Sequence, residues 1–211
     1  MSIAVFGSSG RLGQAFIRQA TAAELTLRLH YRAKPSEEVP QESTVVVGSL
    51  SDPTAVREVL RGAEAAVVML GPKPDARVPF CAESTKVIIE TMKTLGQSRL
   101  LVVTGAMIGG MPSNVSIGMR LLALGVRRMA AEGLMEDRDE QERLVRASRL
   151  DGWTVIKPPR LTDGSTPVPV QAGPTRSIGL LSSISRVSLA EWIVQELRNQ
   201  QFPQQAVYVA E

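Results

Sequence analysis

The stretch IAVFGSSGRLGQAF, residues 3–16, decides the fold of this chain. It opens with a compact apolar run that ends at Gly7. Two further glycines, Gly10 and Gly13, precede a segment whose apolar residues have helical spacing. Glycine is unfavourable inside helices and strands, so three glycines in one turn indicate that the backbone must come close to something. The stretch therefore predicts a strand, a tight glycine turn and a helix.

The rest of the chain repeats this alternation of short apolar strands and longer helical segments. Further strands are predicted at residues 25–32, 43–50, 63–71, 99–105, 152–159 and 205–210. Helices are predicted at 11–22, from Asp52-Pro53 to Leu60, from a lead-in at Asp75 to Pro79 as far as Gly96, and from Ser188 to Asn199. Parallel neighbours need crossovers, and these strands are continuous apolar runs. The pattern therefore predicts an α/β fold, a Rossmann-like doubly wound parallel sheet with helices on both faces, in one domain spanning 1–211.

The composition excludes several classes of protein. Hydrophobic residues make up 44% and charged residues 21% of the chain, as in globular proteins, and no apolar run approaches the ~18–20 residues of a membrane span. The start MSIAVFG is interpreted as a first strand and not as a secretory leader. The single cysteine, Cys81, excludes an internal disulfide and is typical of a reducing cytoplasm. Scattered arginines account for the net charge of +3, without a basic stripe for nucleic acid. We expect a cytoplasmic monomer or weak homodimer with no membrane and no nucleic-acid partner.

The glycine turn joins the first strand of such a sheet to its first helix. At this place exposed backbone N–H groups and the helix dipole favour an anion. Gly7 would allow the tight turn, Gly10 would let a pyrophosphate approach, and Gly13 would let the helix pack closely. Ser8 and Ser9 would add hydroxyl donors. We interpret the turn as a dinucleotide site; the alternative is a Gly/Ser turn that merely connects two elements.

The end of the second predicted strand bears on the choice of cofactor. An acidic residue there accepts a hydrogen bond from the ribose 2′-hydroxyl of NAD, whereas an arginine suits the 2′-phosphate of NADP. This chain has Arg32 and Lys34, with no carboxylate before Glu37, and Arg11 would reinforce the same phosphate contact. We predict NADPH (NADP) as the cofactor; the alternative for these residues is a solvated basic loop.

Six motifs, taken in their order along the chain, resemble those of a known family. The motifs are VFGSSGRLG, VVVGSLSDP, AAVVMLG, LLVVTGAM, LVRAS and VIKPPRL. In this order the chain resembles the atypical short-chain dehydrogenases, and most closely the NAD(P)H-binding proteins similar to flavin reductase and biliverdin reductase B. The resemblance spans nearly the whole chain. It implies hydride transfer from NADPH to a planar conjugated small molecule, namely a flavin, a bilin or a quinone.

The resemblance also implies a set of site residues. The pyrophosphate would meet Gly7, Ser9, Gly10, Arg11 and Leu12, and the 2′-phosphate Arg32. The adenine would lie between Ser49 and Leu50, and the cofactor would pass over Leu70 and Gly71. The nicotinamide would lie near Thr104 and beneath Pro159, Arg160 and Leu161. The chain departs from the family at Ser49, where an acid is frequent, and at Gly105, where a serine is frequent.

Several kinds of catalysis lack the residues they need. Alcohol dehydrogenation in this superfamily uses Tyr-x-x-x-Lys, and neither Tyr31 nor Tyr208 has a lysine four residues later. His30 is the sole histidine, so a His-dependent triad and a multi-His metal site both fail, and we predict no metal. We expect Cys81 to be core packing. The acids and arginines of residues 136–146 are interpreted as the solvated face of a long helix.

A glycine-rich apolar loop, GAMIGGMPSN at residues 105–114, follows the fifth strand. It is interpreted as a mobile wall for a flat ring, with apolar contacts from Met107, Ile108 and Met111. Arg160 and Arg176 would meet anionic groups of the substrate. The alternative is an ordinary loop with core methionines. Thr104 is predicted to be the hydroxyl at the reacting centre, where it would orient the carboxamide or a water molecule.

Three functions are compatible with these features. The first is an NADPH-dependent reductase of planar acceptors. The second is a dinucleotide sensor similar to the NmrA-like branch of the superfamily, and the third is a scaffold or assembly factor. The glycine turn and Arg32 favour the first two, whereas the missing Tyr-x-x-x-Lys pair and the glycine at position 105 weaken the first against the second. We favour the reductase.

Overall fold

The computed structural model describes residues 1–71, 80–110 and 133–211, and five positions between them, which are 118, 120, 121, 124 and 125. Met111, the end of the predicted substrate loop and the predicted helix lead-in at Asp75 to Pro79 lie outside these residues. Within the described residues no helix is both long enough and apolar enough to cross a bilayer.

Strands and helices alternate through the described chain. The strands are β1 (Ser2–Phe6), β2 (Thr26–Tyr31), β3 (Thr44–Val47), β4 (Ala65–Val68), β5 (Arg99–Val103), β6 (Gly152–Lys157), β7 (Arg160–Thr162), β8 (Gln171–Gly173), β9 (Ser183–Ser185) and β10 (Gln205–Ala210). The helices are α1 (Arg11–Ala22), α2 (Pro53–Leu60), α3 (Cys81–Thr94), α4 (Leu134–Arg146) and α5 (Arg186–Asn199). The sequence pattern did not predict β7, β8 or β9, which have three residues each and are too short to show a period.

Eight strands form one sheet in the order β3-β2-β1-β4-β5-β6-β10-β8. The pairs from β3 through to β10 are parallel, and β8 alone runs antiparallel to its neighbour β10. The strand order reverses direction between β1 and β4, as it does in the Rossmann fold. The predicted doubly wound sheet is therefore confirmed, with one antiparallel edge strand. A separate parallel pair, β7 and β9, lies outside this sheet.

Helices cover both faces of the sheet. On one face α1 and α5 pack against each other and against alternate residues of β1 and β2, such as Val5 and Leu29. On the other face α2, α3 and α4 pack against the intervening residues, such as Ala4 and Phe6. The central strands β1, β4, β5 and β6 are buried on both sides, which explains why they read as unbroken apolar runs.

Two helix starts follow from capping. Asp52 accepts a 2.8 Å hydrogen bond from the Thr54 amide at the start of α2, and Pro53 occupies the first helical position. The last helix was predicted to start at Ser188. It starts two residues earlier because Ser185 accepts the Ser188 amide and so caps the helix.

Candidate functional site

The glycine turn has little room for side chains at two of its three glycines. Gly7 has a φ of +98°, and a Cβ there would lie 2.6 Å from the Met69 carbonyl oxygen. A Cβ on Gly13 would lie 2.2 Å from the Gly7 carbonyl oxygen. A Cβ on Gly10 would meet only that same oxygen, at 3.3 Å, within 4 Å. The turn is therefore tight on the inside at Gly7 and Gly13 and open on the outside at Gly10.

The first turn of α1 is left without a side-chain partner. Gly10 is its N-cap and forms no side-chain cap, and no acidic residue lies in the first turn. Ser8 is buried and its hydroxyl donates to the Val5 carbonyl, so the predicted phosphate contact from Ser8 is wrong. Ser9 is exposed, and Leu12 is buried behind the turn. The N-terminus of α1 is thus a place where backbone N–H groups and the helix dipole favour an anion.

The loops after β2 and β3 are open. Arg32 and Lys34 are exposed directly after β2. Ser49 is exposed after β3 and its hydroxyl lies 2.7 Å from that of Ser51, while Leu50 is buried beside it. Glu37, the first carboxylate after β2, accepts a 3.1 Å hydrogen bond from Gln14 of α1. Arg32 and Lys34 are therefore exposed cations directly after β2.

Cys81 packs in the core, as predicted, and His30 lies within β2. His30 is buried, its Nε2 lies 2.9 Å from the Gly48 carbonyl oxygen, and burial lowers its pKa. Cys81 is buried at the start of α3, where burial raises the pKa of its thiol. The residues that the structure describes contain no cluster of three or more His, Cys, Asp or Glu side chains suited to a metal ion.

Arg11 extends away from the glycine turn and across a groove. Its Nη1 lies 3.5 Å from Asp163 Oδ2, and Arg186 Nη1 lies 2.5 Å from Asp163 Oδ1. The groove has a volume of about 530 Å³ and lies between α1 and residues 163–165. Asp163 thus holds two arginines beside the N-terminus of α1, and Arg11 would have to leave it to reach a phosphate.

A buried arginine closes the ends of β4 and β5. Arg138 of α4 donates to the carbonyl oxygens of Leu70 at 2.6 Å, Val103 at 2.9 Å and Thr104 at 2.7 Å. Its guanidinium also donates to Gln141. Leu70 is buried and Gly71 is exposed at the same edge. The carbonyl groups at this edge are therefore satisfied by α4.

Asp137, the residue of α4 that precedes Arg138, places its carboxylate at the N-terminus of α3. Its Oδ2 accepts from the amides of Phe80 at 3.2 Å and Cys81 at 2.9 Å, and its Oδ1 accepts from the Ala82 amide at 2.9 Å. A carboxylate at a helix N-terminus satisfies free N–H groups and compensates the positive end of the dipole. This helix start is closed from within the protein.

Glu142 of α4 and Lys157 of β6 form a buried ion pair. The two side chains are each 1% exposed, and Lys157 Nζ lies 3.2 and 3.1 Å from the two carboxylate oxygens. Arg146 donates to Oε1, at 2.7 Å from Nη2, and the Thr104 hydroxyl lies 3.3 Å from Oε2. Burial lowers the pKa of Lys157, and the adjacent Glu142 carboxylate opposes that shift.

For Arg138 and Glu142 the prediction of a solvated helix face is therefore wrong. The inward positions of α4 are Arg138, Gln141, Glu142 and Val145, which have helical spacing but only one apolar member. A pattern based on hydrophobicity cannot distinguish such a face from a solvated one. The available signal was Lys157, a lysine inside the apolar strand GWTVIK, because a buried lysine needs an acidic partner.

The described part of the substrate loop is held by polar contacts. Lys157 donates to the carbonyl groups of Ile108 and Gly110, the latter at 3.2 Å. Asp139 accepts from the Gly109 amide at 2.7 Å. Ile108 is only 5% exposed, whereas Met107 is half-buried. In place of the predicted mobile wall, residues 105–110 are fastened to α4 and β6, and little of Ile108 is accessible to a substrate.

Tyr208 of β10 completes this cluster. It pairs in register with Lys157, whose Nζ lies 5.2 Å from the centre of its ring, and its hydroxyl donates to the Gly110 carbonyl at 3.2 Å. Burial, with the Glu142 charge, raises the pKa of Tyr208 to about 12. A lysine is thus beside a tyrosine in space although not four residues away in sequence. The raised pKa makes this tyrosine a poor proton donor at neutral pH.

Of the remaining predicted residues, Pro159 to Leu161 lie at β7 and Arg176 follows β8. Arg160 is exposed and Leu161 is half-buried, both in β7 after Pro159. Arg176 donates to Gln171 of β8. A Cβ on Gly105 would meet only Ile108 Cγ1, at 3.6 Å, so a serine would fit there.

The Rossmann strand order and the open glycine turn at the carboxyl edge are those of a dinucleotide-binding α/β fold. Comparison with protein families gives a match over residues 7–200 to the NAD(P)H-binding family. The chain belongs to this family, which confirms the predicted membership.

Solved structures with low sequence identity share this fold. A short-chain dehydrogenase/reductase from Veillonella parvula, solved in complex with NADP, has a TM-score of 0.79 and 16% identity, over 100% of this chain and 94% of that chain. A "putative NADH-flavin reductase" from Streptococcus pneumoniae has a TM-score of 0.75 and 19% identity, over 100% and 99%. An oxidoreductase from Lactococcus lactis has a TM-score of 0.79 and 15% identity, over 99% and 90%.

Proposed function

We propose that this protein is an NADPH-dependent reductase that transfers hydride to a planar conjugated acceptor such as a flavin, a bilin or a quinone. The observation that carries the proposal is the glycine turn. It leaves the N-terminus of α1 without a cap, an acid or a side chain at Gly10, at the carboxyl edge of a Rossmann sheet. That is the geometry a pyrophosphate requires.

The residues along this edge fit NADPH. The backbone amides of Ser9, Arg11 and Leu12 would hold the pyrophosphate, whereas the Gly10 amide donates to the Gly7 carbonyl. Arg32 would bind the 2′-phosphate by charge-assisted hydrogen bonds. Ser49 and Leu50 would flank the adenine. Leu70, Gly71 and the segment from Pro159 to Leu161 would border the nicotinamide half. A Veillonella parvula neighbour solved with NADP supports this choice of cofactor.

The choice of a conjugated acceptor is supported by the few proton donors among the described residues at this edge. The hydroxyl of Tyr208 is bound to Gly110 and has a raised pKa, and His30 is buried at the β2–β3 end of the sheet. The reduced nicotinamide supplies the hydride. A conjugated ring spreads the resulting negative charge over several heteroatoms, so it needs less help from a protein acid than a simple ketone does, and solvent supplies the proton. The Streptococcus pneumoniae neighbour named for flavin reduction agrees with such an acceptor.

The first test of this proposal is cofactor binding by calorimetry. The wild-type protein should bind NADPH more tightly than NADH. Gly10→Val should abolish binding of both, because the branched side chain fills the space outside the turn while meeting only the Gly7 carbonyl oxygen inside the protein. A cooperative melt of the variant is the control for folding. Normal binding by Gly10→Val would mean that the glycine turn merely connects β1 to α1 and does not bind the cofactor.

The second test is turnover. NADPH oxidation is followed with riboflavin phosphate, dichloroindophenol and a bilin as acceptors. Turnover with at least one of them supports the reductase. Tight NADPH binding without turnover of any flat acceptor would favour a dinucleotide sensor, and no dinucleotide binding at all would favour a scaffold or assembly factor.

A further inference from the structure

The hydroxyl of Thr104 shares the Glu142 carboxylate with two cations. Arg146 contacts Oε1 from Nε at 3.0 Å and from Nη2 at 2.7 Å. Lys157 contacts both oxygens, and Thr104 Oγ1 lies 3.3 Å from Oε2. Ammonium and guanidinium groups have only protons to give, so Glu142 accepts from both as a carboxylate.

This arrangement fixes the direction of the hydrogen bond at Thr104. A carboxylate has no proton to donate, so the Thr104 hydroxyl must donate to Glu142. The backbone of Thr104 is also engaged, because its amide donates to the Ile156 carbonyl at 2.9 Å and its carbonyl accepts from Arg138. What the half-buried Thr104 can offer to a ligand is therefore the lone pairs of its hydroxyl oxygen.

We propose that Glu142 is a positioning residue that turns Thr104 into a hydrogen-bond acceptor, and that Thr104 thereby selects the amide N–H of the nicotinamide ring. This inference rests on the proposed function, since it assigns a partner to Thr104 within the same site. Lys157 keeps the carboxylate in place by contacting both of its oxygens, and it fastens the loop at Ile108 and Gly110. The amide is the N–H donor at the reactive end of the dinucleotide.

A threonine beside a reacting ring is able either to pass a proton to the acceptor or to orient the cofactor. A threonine that passes a proton to the acceptor must itself be resupplied, and a carboxylate held by a lysine and an arginine has no proton for it. Thr104 is thus an orienting group, and the proton that follows the hydride comes from elsewhere.

The test is a comparison of two cofactors by calorimetry, without turnover. NADP is compared with its 3-acetylpyridine analogue, in which a methyl group replaces the amide nitrogen. The wild-type protein should bind NADP about fivefold to tenfold more tightly than the analogue, the effect of one hydrogen bond. Thr104→Val should bring this ratio close to one, and Thr104→Ser should restore it.

Glu142→Gln tests the positioning role itself. A glutamine amide is able to donate to Thr104, which turns the hydroxyl proton towards the ligand, so the ratio should fall to one or invert. The matched control is Arg146→Gln, which removes a half-exposed cation from Oε1 and should leave the ratio unchanged. Should Glu142→Gln fail to fold, the double variant with Lys157→Met removes both buried charges together, and the ratio should fall in the same way.

The outcomes distinguish this inference from the proposed function. A wild-type protein that binds no dinucleotide overturns both. A wild-type protein that binds NADP and its analogue equally well overturns the inference alone. So does a preference for NADP that survives in Thr104→Val or in the folded Glu142 variant.

Discussion

The two ends of the carboxyl edge of the sheet are built in opposite ways. At the ends of β1 to β3, which we call the open end, the groups exposed to solvent include the backbone amides at the start of α1 and the side chain of Arg32. At the ends of β5 and β6, which we call the closed end, the polar groups are buried and bound to one another, with Glu142 and Lys157 each 1% exposed. The polar groups exposed at the first end are separate from the contacts that hold the fold. At the second end the polar groups are themselves the contacts that hold the fold.

The largest expected effect is at the closed end. Lys157→Met should lower the free energy of unfolding by about 3–5 kcal/mol, because it leaves Glu142 buried opposite an apolar side chain. Urea unfolding measures this loss. Lys34→Met, a matched lysine at the open end, should change the same quantity by less than about 0.5 kcal/mol. Equal effects of the two substitutions would remove the contrast between the ends.

The next effect is at the open end and concerns binding alone. Arg32→Ala should weaken NADPH binding by about 1.5–3 kcal/mol, the range for a hydrogen bond to a charged group, and leave NADH nearly unchanged. Calorimetry with both cofactors measures the difference. The free energy of unfolding should stay at the wild-type value because Arg32 is exposed. A loss of equal size for both cofactors would contradict the assignment of Arg32 to the 2′-phosphate.

The open end is also the part that the sequence predicted best. The spacing of Gly7, Gly10 and Gly13 and the position of Arg32 after an apolar strand depend on local backbone geometry, which is legible in consecutive residues. The strand and helix alternation likewise predicted the sheet from β1 to β6 and its covering on both faces.

The closed end could not be predicted in the same way, because it is made by contacts distant in sequence. Glu142 and Lys157 are 15 residues apart, and Tyr208 reaches Gly110 across 98 residues. Glu142 and Tyr208 look solvated or unremarkable in their own segments, and the one local signal is Lys157 inside an apolar strand. They become a buried cluster only when α4 packs on the sheet and β10 pairs with β6.

A smaller effect is expected where the closed end meets the cofactor. Thr104→Val should lower kcat by raising the activation free energy about 1–2 kcal/mol, because it removes an orienting hydrogen bond and no proton donor. Steady-state assays with NADPH and a flat acceptor measure the change. A loss of ~10⁴-fold with unchanged cofactor affinity would instead make Thr104 a proton relay.

The smallest effect is expected at the groove beside α1. Asp163→Asn removes the charge that holds Arg11 and Arg186, and both Arg11 and Asp163 are 75% exposed. Freed from this ion pair, Arg11 should strengthen NADPH binding by at most about 0.5–1 kcal/mol, the range for exposed pairs. The gain should disappear in the Arg11→Ala background. A loss of affinity in Asp163→Asn would instead mean that Asp163 contacts the cofactor.

The carboxylate of Asp137 makes the start of α3 different from the start of α1, and this difference bears on the orientation of a bound dinucleotide. The sheet reverses between β1 and β4, and a helix begins at this edge after each of these strands, one on each face. Either helix start would attract a phosphate, and a molecule with two nucleotide-like halves would then be able to lie in two orientations. Because Asp137 already satisfies the amides of Phe80, Cys81 and Ala82, the start of α1 is the one of these two that is left open to the anion. The two halves of the sheet are thereby made unequivalent, and a dinucleotide would enter with its adenosine towards β2 and its reactive ring towards β5.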